Sequence, residues 1–265
     1  MKFQYKPEYQ YLTSCMLNVT DACNLACRYC FVEQHPHYMT LDIAKQVVDW
    51  LYSNLQKKIE IYPNTEKICQ ITFFGGEPTL CFDSIIIPLV YYCNQKYPFI
   101  FHFSITTNGT LLNKERIDFL KKYNFSILLS IDGNEITQNY NRPCQNKELN
   151  SFKMIEKNIP YLLECFPDLC FRSTLYPPTI KYLYENYLYV ESLGFKNFEM
   201  IADNRIKWNS KNKKILKNEF SKIFLHRLAQ IKNNILPLNV GRINLYTAII
   251  IKLLFEDTRK ILNFD

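Results

Sequence analysis

A chain of 265 residues, 48% hydrophobic and 22% charged, is ordinary for a globular protein and long enough for one large core or two modest ones. No stretch approaches the ~20 uninterrupted apolar residues of a membrane-spanning helix, because the most apolar segment, Thr247 to Phe255, carries Lys252, and the opening MKFQYKPEYQ is polar where a secretory signal would be apolar; a cytoplasmic protein with no membrane partner is expected. The net charge of +7 does not imply nucleic acid, since Lys and Arg are scattered and the densest cluster, Lys207 to Lys217, lacks an interleaved aromatic platform and reads as a solvated helix face.

In chain order, six short apolar runs, several of them β-branched, read as strands: Cys15–Thr20, Gln70–Phe74, Phe101–Thr107, Ser126–Ile131, Leu169–Leu175 and Phe195–Ile201. Helical periodicity fills the intervals. Leu41–Leu55 puts Ile43, Val47, Val48 and Leu51 on one face, and Lys114–Lys122 sets Ile117 and Leu120 opposite charged residues. Ile85–Asn94, Ser151–Glu164 and Tyr182–Leu193 complete the series. Strands alternating with helices predict parallel pairing. Six units in regular succession predict an α/β fold, a partial (β/α)6 TIM-like barrel over residues 1–203. Residues 204–265 depart from the pattern, being Lys/Asn-rich to about 218 and then helical, with Phe220, Phe224, Leu225 and Leu228 at near-helical spacing; they are expected to form a helical C-terminal extension or the start of a truncated accessory domain.

In such barrels function collects at the carboxyl ends of the strands. Three cysteines follow the first predicted strand, Gly75–Glu77 the second, Thr107 and Asn108 end the third, and Ser130 and Asp132 end the fourth. Ten cysteines in a chain of this size do not form the disulfide framework of a small exported domain. The tight cluster, DACNLACRYCF, places Cys23, Cys27 and Cys30 in a C-x3-C-x2-C array. Three thiolates so spaced can ligate three irons of a [4Fe–4S] cubane and leave the fourth iron open. A structural zinc site, with His35 or His37 as fourth ligand, is the alternative. Zinc ligands more often come as two close couples.

With Tyr29 before the third cysteine and Phe31 after it, this array resembles the signature of the radical S-adenosylmethionine (SAM) superfamily. The resemblance implies that Cys23, Cys27 and Cys30 are the catalytic metal ligands, and that SAM binds the open iron through its amino and carboxylate groups. An electron from the cluster would then release a 5′-deoxyadenosyl radical that takes hydrogen from substrate. Phe31 would contact the adenine. Gly75-Gly76-Glu77-Pro78 is similar to the family's GGEP motif, whose glycines admit SAM and whose acid receives its amino group. Thr107-Asn108-Gly109 resembles its TNG segment. SIDG, with Ser130 and Asp132, resembles the segment that lies near the ribose hydroxyls in the peptide-modifying subgroup. Arg142 in NYNRP and Arg172 in FRSTLYP also match arginines of that subgroup, Arg172 being the expected partner of the SAM carboxylate and Arg142 equally compatible with a surface place.

The resemblance runs from about Ser14 to Ile201 and is nearest to SPASM-type peptide maturases and anaerobic sulfatase-maturating enzymes. It implies a peptide or protein substrate and a reductase such as flavodoxin or ferredoxin. A small-molecule substrate, such as a cofactor precursor, and a non-catalytic iron–sulfur paralogue are the alternatives. No cysteine follows Cys170, so the cysteine-rich domain of those maturases has no counterpart here, whether the chain is a natural short form or a fragment. Cys15 and Cys69 sit in strand patterns and read as small buried hydrophobes.

Overall fold

The computed structural model describes residues 11–203 and 205–240. Its six strands are β1 (Ser14–Thr20), β2 (Cys69–Gly75), β3 (Phe101–Thr107), β4 (Ser126–Ser130), β5 (Cys170–Leu175) and β6 (Asn197–Ala202). They run parallel in one sheet of order β1-β2-β3-β4-β5-β6, the arrangement that helical crossovers between successive strands enforce. Alternation sets the faces. Leu17, Val19, Ile71, Phe73, Phe103 and Ile105 are buried, whereas Met16, Gln70 and His102 between them are exposed.

Helix α1 (Leu41–Ile61) starts at a Thr40 cap that accepts from the Ile43 amide and runs six residues past the expected end. Its buried stripe is Ala44, Val48, Leu51 and Leu55, so Ile43, expected inside, is half-exposed. The 44-48-51-55 spacing makes the better helical row. Helix α2 (Ile87–Lys96) is entered through a 3-10 turn and one π turn, and α3 (Lys114–Lys122) is capped by Asn113. The run expected as one helix over Ser151–Glu164 is two, α5 (Ser151–Glu156) and α6 (Ile159–Cys165). Pro160 breaks it, having no amide to donate to the preceding turn, but suits the first turn of α6. Between β4 and α5 lies an unexpected α4 (Glu135–Asn141). After β5 comes α7 (Leu183–Ser192), and α8 (Ser210–Lys232) follows β6.

The chain divides into two compact units. One contains β1 to β3 and the residues to Leu128; the other contains the residues from Leu129 onward together with the three-residue segment Cys27–Tyr29. In the first, Phe73, Phe103 and Phe125 stack at centroid separations of 5.3 to 6.3 Å. In the second, Phe171 stacks on Phe198 at 4.3 Å and meets Phe195 edge-on at 4.7 Å. Helix α8 belongs to this second unit. It buries Ile223, its Glu219 accepts from the Tyr184 amide at 3.0 Å, and its His226 bonds Glu191 at 2.8 Å. It begins at Ser210 rather than near 218, because Asn209 caps it and the Lys-rich stretch supplies its exposed face. The remainder of the expected extension, 241–265, lies outside the described residues. Among the described residues no helix is long and apolar enough to cross a membrane.

Candidate active site

In the first unit, the chain leaving β1 is pressed against the end of β2. The Gly76 amide donates to the Thr20 carbonyl at 2.7 Å and the Glu77 amide to the Ala22 carbonyl at 2.9 Å. A Cβ on Gly75, whose φ is +143°, would lie 2.2 Å from the Thr20 oxygen, and one on Gly76 would lie 2.3 Å from the Ala22 oxygen. Both distances are far inside van der Waals contact, so the glycine pair is what lets β2 approach the segment entering Cys23.

Glu77 is 1% exposed and braces the ends of β2 and β3. Its Oε1 accepts from the Thr79 amide at 3.0 Å, the Thr79 hydroxyl at 2.5 Å and the Thr107 hydroxyl at 2.7 Å, and its Oε2 from the Asn108 amide at 2.7 Å. Burial pushes its carboxyl above the usual range, and these four donors pull it back in part. Pro78, also buried, opens the 3-10 turn that Glu77 caps. Asn108 carries the chain of contacts to the cysteines, its Nδ2 donating to Asn24 Oδ1 at 2.9 Å and to the Cys23 sulfur at 3.9 Å. Cys30 is exposed and its thiol donates to the Val32 carbonyl at 3.7 Å. Phe31, 67% exposed, stacks on Phe74 at 6.4 Å.

In the second unit, Tyr29 lies within the cysteine array and is half-buried. Its phenol donates to Asp132 Oδ2, its ring meets Tyr176 edge-on at 5.6 Å, and Arg142 sits over that ring at 5.3 Å. Asp132, 2% exposed, is saturated: Oδ1 accepts from Arg142 Nη2 at 3.1 Å and the Thr174 amide at 3.0 Å, while Oδ2 takes Asn141 Nδ2 at 2.9 Å besides the phenol. Four donors fill a carboxylate. Asp132, expected near ribose hydroxyls, here has its oxygens taken up by these four donors and anchors the Tyr29 side chain. Arg142, for which a surface place was equally compatible, has only 9% of its side chain exposed. Burial alone would discharge it, but Asp132, Tyr29 and Cys27 facing it raise its pKa, and it stays a cation. Burial likewise holds the Tyr29 phenol well above its ordinary value. Arg28 continues the attachment, its amide donating to the Asn141 carbonyl at 2.9 Å and its Nε to the Tyr140 carbonyl at 2.8 Å.

Arg172, expected at a carboxylate of the cofactor, instead pairs with its register partner on β6, Glu199, at 2.8 Å, both side chains partly exposed. Ser130 ends β4, half-buried. The contacts of Asp203 and Arg205 just after β6 had no counterpart in the sequence reading.

Residues 17–185 match the Radical SAM superfamily. The chain belongs to that superfamily. Among curated relatives of this radical SAM chain are the radical SAM cyclopropyl synthase TigE of Paramaledivibacter caminithermalis, 28% identical over 63% of this chain and 36% of that protein. Another is a cysteine-type anaerobic sulfatase-maturating enzyme of Clostridium novyi, 33% identical over 53% of this chain and 37% of that protein. The chain thus aligns with little more than a third of either. The solved structure of native anSMEcpe with bound AdoMet and Cp18Cys peptide superposes with a TM-score of 0.71 over 92% of this chain and 66% of that one at 20% identity, which gives the fold, the partial TIM-like barrel expected from the strand series.

Superfamily members use a [4Fe–4S] cluster and SAM, and the donor chemistry here fits a cluster. None of Cys23, Cys27 and Cys30 is buried. Elsewhere burial discourages the thiolate that metal binding needs, raising Cys15 to about 11 and Cys69 to about 12, and pushing Cys81, Cys93 and Cys144 upward as well. Among the described residues no three His, Cys, Asp or Glu side chains converge as a metal site, so the case for the three thiols as ligands rests on their chemistry and their spacing in the chain.

Proposed function

We propose that the chain is a radical SAM enzyme acting on a peptide or protein, with Cys23, Cys27 and Cys30 holding the [4Fe–4S] cluster. The observation that carries this reading is the contact chain from Glu77 through Asn108 to the Cys23 sulfur, which joins three segments far apart in sequence that all resemble SAM-enzyme motifs. Bound cluster and SAM would supply a one-electron reductive cleavage and a radical able to take hydrogen.

The chain's own residues hold and orient. Gly75, Gly76 and Pro78 bring the end of β2 against the cysteine segment, and Glu77 with Thr107 and Asn108 fixes that end to β3. Phe31 offers an exposed ring for stacking on a base. Ser130 offers a hydroxyl at the end of β4, and the partly exposed Arg172–Glu199 pair offers polar groups within β5 and β6, with Arg172 the candidate for a carboxylate. A peptide substrate is supported by relatives described as a cyclopropyl synthase and a sulfatase-maturating enzyme, and by the bound peptide in the similar fold. The electron would come from an external reductase such as flavodoxin or ferredoxin.

The test is anaerobic reconstitution followed by reduction with dithionite in the presence of SAM. About four irons per chain and 5′-deoxyadenosine that disappears in Cys27→Ala are expected; a single zinc per chain sinks the reading. Comparing peptide pools with small metabolites as acceptors of the chemistry decides the substrate class.

A further inference from the structure

Just beyond β6, Arg205 reaches back 176 positions to a main-chain atom of the cysteine array. Its Nη2 donates to the Tyr29 carbonyl at 2.6 Å. The same guanidinium is gripped by Asp203, with Nε on Oδ1 at 2.9 Å and Nη2 on Oδ2 at 2.7 Å, and the Arg205 amide also donates to Oδ1 at 3.0 Å. Asp203 is itself buried, and the Trp208 indole donates to its carbonyl at 2.9 Å. A planar fork held along one edge by a fixed carboxylate has little freedom to turn, so the direction of the second Nη2 hydrogen is set. That direction ends on the peptide leading into Cys30.

Elsewhere in the segment Cys27–Tyr29, Asp132 and Arg142 fix the Tyr29 side chain, and α4 fixes Arg28. The contact on the Tyr29 main chain comes from Arg205. We propose that Arg205, locked by Asp203, is a positioning residue that fixes the backbone between Cys27 and Cys30. This rests on the reading that these cysteines hold the cluster. A ligand loop ordered beforehand loses less conformational freedom when it takes up metal, so the pair acts on cluster retention through the loop.

The test follows hydrogen exchange at the Arg28 amide, which is bonded to the Asn141 carbonyl, in the full chain with and without iron. It also follows the rate at which a chelator strips iron from the reconstituted protein. Arg205→Ala should speed exchange at Arg28 about tenfold relative to amides of β5, the low end for a charged hydrogen bond at a half-exposed side chain. Iron loss should quicken by a similar factor, and Arg205→Lys, which keeps a cation but not the fork, should recover part of both. Exchange at Arg28 that is unchanged, or that rises no more than in β5, overturns the proposal. Should Arg205→Ala fail to fold, Asp203→Asn, which releases the fork at nearly constant shape, carries the same criterion. Wild-type chain that takes up no iron overturns the functional reading alone, because exchange in the metal-free chain still decides the role of Arg205.

Discussion

Removing Arg142 and removing Asp132 should have unequal costs, and the inequality follows from what each leaves behind. Arg142→Met deletes the buried cation, and Asp132 keeps three donors, the Tyr29 phenol, Asn141 Nδ2 and the Thr174 amide. Breaking a buried ion pair costs about 3–5 kcal/mol, and three surviving donors place this variant near the lower figure. At roughly 2–4 °C per kcal/mol for a chain of this size, Tm should fall by about 6–12 °C. Asp132→Ala leaves a buried guanidinium and three further donors without their acceptor, each worth about 1–3 kcal/mol, and should exceed 5 kcal/mol. The double variant Asp132→Ala/Arg142→Met removes the stranded charge and should be more stable than Asp132→Ala alone. Urea unfolding of the four proteins measures all of this. A loss under about 1 kcal/mol in Arg142→Met, or strictly additive effects in the double variant, would refute the argument that the pair is a buried, mutually dependent unit.

Other outcomes are expected from the same geometry. Gly76→Ala should destabilise by about 1–3 kcal/mol or more, since its new methyl would meet a backbone oxygen at 2.3 Å. Gly194→Ala meets nothing within 4 Å and should cost only the roughly 1–2 kcal/mol of its positive φ; thermal melts of the two compare them. Glu77→Gln turns an amide donor toward the Asn108 amide or the Thr cluster and should cost about 1–3 kcal/mol by urea unfolding, with slower reconstitution. The Asp203 carboxyl is held below the usual 3.8 by Arg205, so its contribution is present above about pH 4 and lost as pH falls through the lowered value. Asp203→Asn should therefore lower stability at neutral pH and flatten its decline in acid, read by melts from neutral pH down to roughly pH 2.5. Cys93→Ala should leave iron content unchanged and Cys30→Ala should abolish it, measured by metal analysis after reconstitution.

The strands were legible because each is a short, largely apolar run, with alternate residues buried in β1 to β5 and Phe198 buried in β6, and all six lie within about two residues of their expected bounds. Helix α4 was not. Its sequence, EITQNYN, has no apolar stripe because the side chains it buries are Thr137, Gln138 and Asn141, of which Gln138 and Asn141 are held by hydrogen bonds. The motif residues were found as motifs, but their roles were not legible. The sequence showed two arginines without revealing that Arg142 is enclosed with Asp132 while Arg172 has a cross-strand partner. Asp203 and Arg205 carry no pattern at all, because a contact across 176 positions leaves no periodicity to read.

The polar interior of α4 has a consequence for how the middle of the cysteine array is addressed. Apolar helices can slide or roll along a greasy surface at small cost, since contact by area has no direction. A helix seated by Asn141 on Asp132, by Gln138 on the Asp132 amide and by Asn141 on Thr179 has only one rotational setting in which those bonds all close. The carbonyls of Tyr140 and Asn141 that grasp Arg28 inherit that single setting. Substitutions that would merely loosen an oily helix should here switch the attachment of Arg28 on or off, giving a mutational profile with steps where a packed core gives slopes.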